Sequence, residues 1–295
     1  MAETRKIGVI ANPAKPGASA LLLDLVNQFC DRDVSMLLEE NTADLANLPN
    51  GIPFDRLSDE VDLLIVLGGD GTILWVLRQL KERIKPIAAI NTGTLGFLTC
   101  ATADESSLLV DALISGEYTT THRIVIAGEL ERNGEMETSF VALNEVTLCR
   151  GVDSRVIHVD ATINEKFANR YTGDGLILAT PTGSTAYSLS AGGPLVEPAA
   201  KVFALTPICP HSLANRPLIV DSASRILFEA PEQRDDLSLL VDGQLLAVIS
   251  EPAKLHLRRA DFTLPLISLT SQDFYDVLHQ KMRWTGTTLC SGEAS

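Results

Sequence analysis

A carboxylate stands inside the glycine-rich turn Gly68-Gly-Asp-Gly-Thr72. Five apolar residues precede the turn, as in a strand that is buried on both faces of a parallel sheet. An amphipathic run that starts at Ile73 follows it and predicts a helix. This order places the turn at the carboxyl edge of a sheet, where open α/β folds bind ligands. The glycines allow a phosphate or ribose to approach closely, and the amides at a helix N-terminus favour anions.

The acidic residue of this turn, Asp70, allows two interpretations. A carboxylate suits the site if it accepts a proton from a hydroxyl group or holds a divalent metal. The alternative is an ordinary βα turn in which Asp70 only caps the helix. The turn is not a P-loop, because the string G-x-x-x-x-G-K-[ST] occurs nowhere in the chain.

A second segment, residues 173–194, is dense in small hydroxyl residues and glycine. It contains Asp174 between two glycines, then an apolar strand that ends at Pro181, then a run of serines and threonines. Such a run suits a ligand rich in ribose and phosphate oxygens, and Tyr187 could stack on a base. A solvated loop is the alternative, but apolar residues flank the run on both sides. A serine hydrolase built on Ser184 and His211 is disfavoured, because G-x-S-x-G is absent.

Composition limits the classes of partner. Of the 295 residues, 45% are hydrophobic, which is ample for two cores. The formal net charge of −14 disfavours nucleic acid and membranes as partners. Five scattered cysteines without C-x-x-C spacing indicate reduced thiols rather than a zinc site. Because we find no signal-like N-terminus and no apolar run of membrane-spanning length, we expect a cytoplasmic protein.

The periodicity of the chain changes near residue 100. Before it, strand and helix patterns alternate, which predicts a Rossmann-like α/β domain over 1–99, with a loop and one short helix over 41–58. After it, one helix at 104–116 is followed by strand patterns and a hairpin signal at Asn133-Gly134. These predict a β-rich, sandwich-like domain over 100–271. Residues 272–295 are expected to return to the first domain through a helix over 271–284. The strands predicted for the second domain lie at 123–132, 137–149, 154–163, 175–179, 217–220, 225–228 and 237–241.

Six segments together resemble the NAD kinase family and occur in that family's order. They are GGDGT at 68–72, NTGTLGFLT at 91–99, Asn144-Glu145, the segment at 173–194, CPHSLANRP at 209–217 and Asp242-Gly243-Gln244. GGDGT alone is shared with diacylglycerol and sphingosine kinases, whereas the segment at 173–194 is much more specific. The likeness covers almost the whole chain.

The resemblance implies transfer of the terminal phosphate of ATP, or of polyphosphate in some members, to the 2′-hydroxyl of the adenosine ribose of NAD. It implies that Asp70 acts as the base and that the backbone of the turn binds the donor phosphates together with Mg²⁺. It assigns no residue of this chain as a ligand of the metal. The residues assigned to the phosphates are Gly68, Gly69, Gly71 and Thr72. The residues assigned to NAD are Asn144, Glu145, Asp174, Thr185, Ala186, Tyr187 and Ser190, with Asp242, Gln244, Asn91 and Phe97 at the edges of the pocket.

One position departs from the pattern of some family members, which carry arginine two residues before the carboxylate that matches Asp174. Thr172 occupies that place here, and Arg170 lies further upstream. If a basic side chain there holds substrate phosphate, this chain must use Arg170 or another group, so the choice between NAD and NADH stays open.

The resemblance also implies ligand binding between the domains and a homodimer or homotetramer. Two other functions remain as alternatives to an NAD kinase. A lipid kinase of the same superfamily would need an apolar acceptor groove, whereas residues 173–194 are rich in hydroxyls. A dinucleotide sensor without activity would not need Asp70.

Overall fold

The computed structural model describes residues 6–151, 156–212, 214–231, 236–269 and 273–282. Within these ranges no helix has the length and apolar character required to cross a bilayer. The helices are α1 (Ala18–Cys30), α2 (Glu40–Leu45), α3 (Phe54–Glu60), α4 (Asp70–Leu80), α5 (Ser106–Ser115), α6 (Tyr187–Ser190) and α7 (Phe274–Met282). The strands are β1 (Ile7–Ala11), β2 (Met36–Leu38), β3 (Leu63–Leu67), β4 (Ile87–Asn91), β5 (Ala101–Thr102), β6 (Thr119–Arg132), β7 (Glu135–Ala142), β8 (Glu145–Arg150), β9 (Ile157–Ile163), β10 (Lys166–Gly173), β11 (Gly175–Ala179), β12 (Val202–Ile208), β13 (Leu218–Asp221), β14 (Ile226–Glu229), β15 (Leu237–Val241), β16 (Gln244–Ile249) and β17 (Ala253–Ser268).

The N-terminal part is a parallel sheet between two layers of helices, as the alternating pattern predicts. Its strands lie in the order β4-β3-β1-β2, all parallel. One face packs against α1 and α5, and the other packs against α3 and α4. All five residues of β3 are buried, which explains the continuous apolar run before the glycine turn. The Rossmann-like prediction is confirmed.

The C-terminal part is a β-sandwich. One of its sheets has the order β13-β12-β11-β8-β15-β16. The facing strands β10, β9, β14, β17, β6 and β7 pair antiparallel with one another. A single apolar cluster, which includes Leu148, Phe203 and Phe228, fills the space between the two layers. The predicted hairpin is present, with Asn133 and Gly134 both at positive φ.

Strand β17 belongs to both parts of the molecule. It pairs with β6 and β14 in the sandwich, and Leu266 near its end pairs in parallel with Ile87 of β4. Ile267 and Leu269 then pack in the first core beside α1 and α5. The two predicted domains are therefore joined by a continuous sheet.

Two local predictions, at residues 41–58 and 137–149, need correction. Residues 41–58 contribute to two short helices, α2 and α3, instead of one. The strand predicted over 137–149 breaks at Leu143 and Asn144, so that β7 and β8 enter different sheets. Helix α5, which the boundary at residue 99 assigns to the second domain, packs on α1, and Arg32 Nη2 lies 2.7 Å from Asp111 Oδ1.

The described part of the C-terminal helix, α7, lies against the first domain, as predicted. The ring centroids of Phe274 and Phe97 are 6.4 Å apart. Residues 271, 272 and 283–295 of the predicted returning segment lie outside the described residues, as do residues 154 and 155 of the strand predicted over 154–163.

Candidate active site

The glycine turn joins β3 to α4 and is tied to two neighbouring strands. The amide of Gly68 donates to the carbonyl of Ile90 at 2.9 Å. A Cβ at Gly68 would collide with the side chain of Thr72, so this close approach requires glycine. Thr72 is buried, and its Oγ1 accepts a hydrogen bond of 3.2 Å from Nδ2 of Asn12. The hydroxyl of Thr72 thus fixes the turn to the end of β1.

The carboxylate of Asp70 faces the segment 96–98 and does not cap its own helix. Asp70 is the first residue of α4, and Gly69 occupies the N-cap position. Its Oδ2 accepts from the amide of Phe97 and its Oδ1 from the amide of Leu98, both at 3.1 Å. A Cβ at Gly96 would collide with this carboxylate. The capping interpretation of Asp70 is therefore wrong.

The side chain of Asn91 shapes the same edge of the sheet. Its Oδ1 accepts from the amide of Gly93 at 3.1 Å, and its Nδ2 donates to the carbonyl of Thr94 at 2.6 Å. It also lies beside Gly69, where an added Cβ would be 3.6 Å from Asn91 Nδ2. Asn91 thus stabilises the start of the segment that binds Asp70.

Asp242 organises the segment that carries Asn144 and Glu145. It is 8% exposed, and its carboxylate accepts from the amides of Leu143 at 3.1 Å, Asn144 at 2.7 Å and Glu145 at 3.2 Å. Burial raises the pKa of Asp242, while these amides and the charge of Arg78 act in the opposite direction. Asp242 therefore points inward and fixes the backbone beside the predicted ribose site.

Glu145 is a buried acid next to that carboxylate. It is 3% exposed, and its Oε2 has no hydrogen-bond partner among the described residues. Burial raises the pKa of Glu145 to about 7; the charge of Asp242 adds to this, and a hydrogen bond from the backbone of Tyr187 opposes it. Glu145 is thus an acid that can donate or accept a hydrogen bond at neutral pH.

The hydroxyl-rich segment packs directly on Leu143 and Asn144. Thr180 donates through its Oγ1 to the carbonyl of Leu143 at 2.5 Å, and its amide donates to the carbonyl of Asn144 at 2.9 Å. Gly183 leaves no room for a Cβ beside Asn144. Strand β8 is also the neighbour of β11 in the sheet. Residues 143–145 and 180–183 are therefore one unit.

The hydroxyl groups of Ser184, Thr185, Ser188 and Ser190 divide into two sets. Ser184 and Ser188 are fully buried and bonded within the protein: Ser184 Oγ donates to the carbonyl of Pro181 at 2.7 Å, and Ser188 Oγ lies 3.0 Å from Thr206 Oγ1. Ser190 is exposed and Thr185 is half-buried. The buried pair holds the turn, so fewer hydroxyls face a ligand than the sequence suggests.

Tyr187 lies among the acidic residues of the candidate site. Its side chain is 43% exposed. Burial raises the pKa of its phenol, and the nearby Cys149, Cys209, Asp174 and Glu145 raise it further. Asp174 in turn pairs with Arg150, whose Nε lies 2.9 Å from Asp174 Oδ1. The structure thus brings together three of the predicted residues, Tyr187, Asp174 and Glu145.

Other predicted residues have partners elsewhere. Arg170 forms a two-bond ion pair with Asp160, with Nε–Oδ1 at 2.6 Å and Nη2–Oδ2 at 2.8 Å. Thr172 Oγ1 lies 2.9 Å from Nδ1 of His158. Gln244 is exposed at the start of β16 and lines a separate groove with Arg78.

Helix α4 connects the two parts of the site. It begins with Asp70, and its Leu74 and Leu77 pack in one core with Leu143. Its Arg78 stabilises the Asp242 carboxylate electrostatically. Sequence reasoning missed Arg78 and Arg150. Arg78 lies in the helix that follows the glycine turn, and Arg150 is the last residue of the strand that begins at Glu145. Their places in elements that start at a motif were the only sequence signal that they lie near the site.

Comparison with known proteins gives the same assignment for both parts of the chain. Residues 53–118 match the family model described as ATP-NAD kinase N-terminal domain, and residues 143–269 match ATP-NAD kinase C-terminal domain. An NAD kinase of Wolinella succinogenes is 38% identical over 279 residues, which is 95% of each chain. An NAD kinase of Syntrophotalea carbinolica is 36% identical over 281 residues, 95% of this chain and 99% of that protein.

Two solved structures are similar over nearly the whole chain. Yeast NADH kinase complexed with NADH superposes with a TM-score of 0.88 at 27% identity, over 96% of this chain and 89% of that one. An NAD kinase from Archaeoglobus fulgidus in complex with ATP superposes with a TM-score of 0.73 at 25% identity, over 95% of this chain and 100% of that one. The chain belongs to the NAD kinase family of phosphotransferases.

Proposed function

We propose that this protein transfers the terminal phosphate of ATP to the 2′-hydroxyl of the adenosine ribose of NAD. The 2′-oxygen forms a bond to the terminal phosphorus, the bond from that phosphorus to the bridging oxygen breaks, and ADP leaves. The hydroxyl proton passes to the carboxylate of Asp70. A positioned base of this kind contributes roughly 10²–10⁴-fold to the rate.

The observation that carries the proposal is the placement of Asp70. Its carboxylate stands at the N-terminus of α4, next to Gly69 and Gly71, whose amides can face phosphate oxygens, whereas the amide of Gly68 is bonded to Ile90. Two backbone amides hold its orientation, which fixes the base relative to both reactants. Gly68, Gly69, Gly71 and Thr72 form the donor side in this proposal.

The acceptor side consists of Asn144, Glu145, Asp174 and Tyr187, with Thr185, Ala186 and Ser190 beside them. Glu145 offers a buried carboxyl oxygen without a partner among the described residues, and an adenosine hydroxyl can supply that partner. Tyr187 offers an exposed ring for stacking. The NADH bound in the yeast relative and the ATP bound in the Archaeoglobus relative support these classes of ligand.

Mg²⁺ fits the residues of the turn. Within the described ranges no group of three or more His, Cys, Asp or Glu side chains could hold a metal ion. A phosphate-bound Mg²⁺ keeps several waters and is held largely by the substrate phosphates, so in this proposal Asp70 would face the ion through a bound water and keep its carboxylate for the hydroxyl proton. When bound, the ion neutralises charge on the donor phosphates.

The test is the variant Asp70→Asn, assayed with ATP, Mg²⁺ and NAD. We expect kcat to fall at least about 100-fold, while calorimetry shows NAD affinity within about threefold of the wild type. Asp62→Asn is the matched control, because this exposed residue lies at the opposite end of β3; its activity should stay within about twofold.

Near-normal turnover by Asp70→Asn would remove Asp70 as the base. Wild-type protein that binds NAD without turnover would be a sensor, and protein that phosphorylates only lipids would be a lipid kinase. Replacing ATP by polyphosphate, and NAD by NADH, in the same assay gives the preferred donor and acceptor.

We also propose a cytoplasmic homo-oligomer, a dimer or tetramer. Edge strand β16 exposes Leu245, Leu246 and Val248 by 41–60%, and the first two line a groove of about 1530 Å³. An exposed apolar edge strand favours pairing with another chain. Sedimentation velocity at micromolar concentration tests this proposal, and a monomer would contradict it.

The division into domains is likewise a proposal. The packing of α5 on α1 favours a first domain that extends to about residue 118 instead of 99. Residues 272–295 remain assigned to it through α7.

A further inference from the structure

Helix α7, near the C-terminus, contacts the segment that binds the proposed base. The ring centroids of Phe274 and Phe97 are 6.4 Å apart with the planes at 45°, which lies within the range of favourable aromatic pairs. Lys281 Nζ donates to Thr94 Oγ1 at 3.2 Å. Leu278, between these two contacts in the helix, is 3% exposed and anchors it. The helix therefore holds the 94–97 segment at both ends.

The same segment holds Asp70. Phe97 donates its amide to Asp70 Oδ2, while its ring packs on Phe274. The next amide, that of Leu98, donates to Asp70 Oδ1. Gly96 lies so close that an added Cβ would meet the carboxylate. A displacement of Phe97 must therefore change the position of the carboxylate as well.

We propose that Phe274 is a positioning residue for Asp70, acting through the ring and the amide of Phe97. The inference rests on the proposed role of Asp70 as the base. Phe274 reaches the reacting atoms through another residue and does not touch substrate in this proposal. The C-terminal helix then completes a site whose other residues all lie in the β3–α4 turn, the 91–98 segment and the sandwich.

The expected effect is on turnover rather than on binding. The coupling of an aromatic pair corresponds to a factor of about two to ten. We expect Phe274→Ala to lower kcat by up to about tenfold. The KM for NAD should change by less than about twofold. The residues proposed to bind NAD, Glu145, Asp174 and Tyr187, lie in other elements than α7 and the segment that it contacts.

The first experiment is hydrogen exchange and does not depend on activity. In Phe274→Ala, the amides of Phe97 and Leu98 should exchange about tenfold faster or more, while those of β4 stay unchanged. Phe274→Tyr keeps the ring and should restore protection. Gln280→Ala, at an exposed position of α7, is the control and should leave exchange and kcat unchanged. Unchanged exchange of both amides in Phe274→Ala would overturn the proposal.

The second experiment combines the variant with Asp70→Asn. If Phe274 acts through Asp70, adding Phe274→Ala to Asp70→Asn should lower kcat by less than about twofold further. If Phe274→Ala lowers kcat by the same factor in the Asp70→Asn background as in the wild type, the proposal is overturned. If Asp70→Asn alone keeps its activity, the assignment of the base fails, and the exchange experiment still decides whether Phe274 holds the segment that binds Asp70.

Discussion

Replacement of Glu145 by glutamine tests the electrostatics of the site directly. This carboxyl group is 3% exposed, and burial raises its pKa from the ordinary 4.5 to about 7. Because the pKa of the folded state is the higher one, the folded protein binds more protons than the unfolded chain between these values. The contribution of Glu145 to stability is therefore complete below about pH 4.5 and is lost as the pH rises through 7.

The magnitude follows from the two pKa values. At about 1.4 kcal/mol per pH unit, the interval from 4.5 to about 7 corresponds to roughly 3 kcal/mol. Most of it, roughly 2.5 kcal/mol, falls between pH 5 and pH 8. Glutamine keeps the shape of the protonated acid but cannot ionise. The stability of Glu145→Gln relative to the wild type should therefore rise by roughly 2.5 kcal/mol over this range.

The assay is urea unfolding of both proteins at pH 5, 6, 7 and 8, with the slope m compared at each pH. Glu197→Gln is the control, because Glu197 is exposed, and its difference from the wild type should stay within about 0.5 kcal/mol. A difference between Glu145→Gln and the wild type that does not change with pH would refute the reasoning.

Two further predictions concern Gly96, which contacts Asp70, and Asp242, which contacts the backbone of Glu145. In Gly96→Ala, the new Cβ must displace the Asp70 carboxylate, so kcat should fall at least about tenfold while the melting temperature changes little; a wild-type kcat would contradict the tight contact. In Asp242→Asn, all three backbone amides lose a charged acceptor, and at least one of them loses its acceptor altogether because an NH₂ group replaces one oxygen. Urea unfolding at pH 7 should therefore show a loss of roughly 1.5–3 kcal/mol, and a change below about 0.5 kcal/mol would contradict this role.

Strand β3 and the β6–β7 hairpin could be predicted because their signals are local. The apolar run of β3 is buried on both faces, and Asn133-Gly134 adopts the turn that its residue types favour. Strand β17 was missed because its pairing with β6 and β14 lies far away in sequence. Its charged residues Arg258, Arg259 and Asp261 also interrupt the apolar alternation.

The types of the site residues could be predicted, but their partners could not. GGDGT marks Asp70, yet nothing near it indicates that its acceptor oxygens face amides at Phe97 and Leu98. The turn at Asp242 was recognised, whereas its contact with three amides of residues 143–145 depends on the pairing of β8 with β15. Long-range pairing of this kind leaves no periodic pattern in the sequence.

The shared strand β17 has a consequence for how the protein is made. Ile267 and Leu269 complete the first core, although that core otherwise comes from residues before 119. We therefore expect that, during synthesis, part of the apolar surface of the N-terminal domain stays exposed until residues 267–269 have left the ribosome. A fragment that ends at residue 118 would lack these side chains, so cutting the gene between the two domains should not yield two independent folding units.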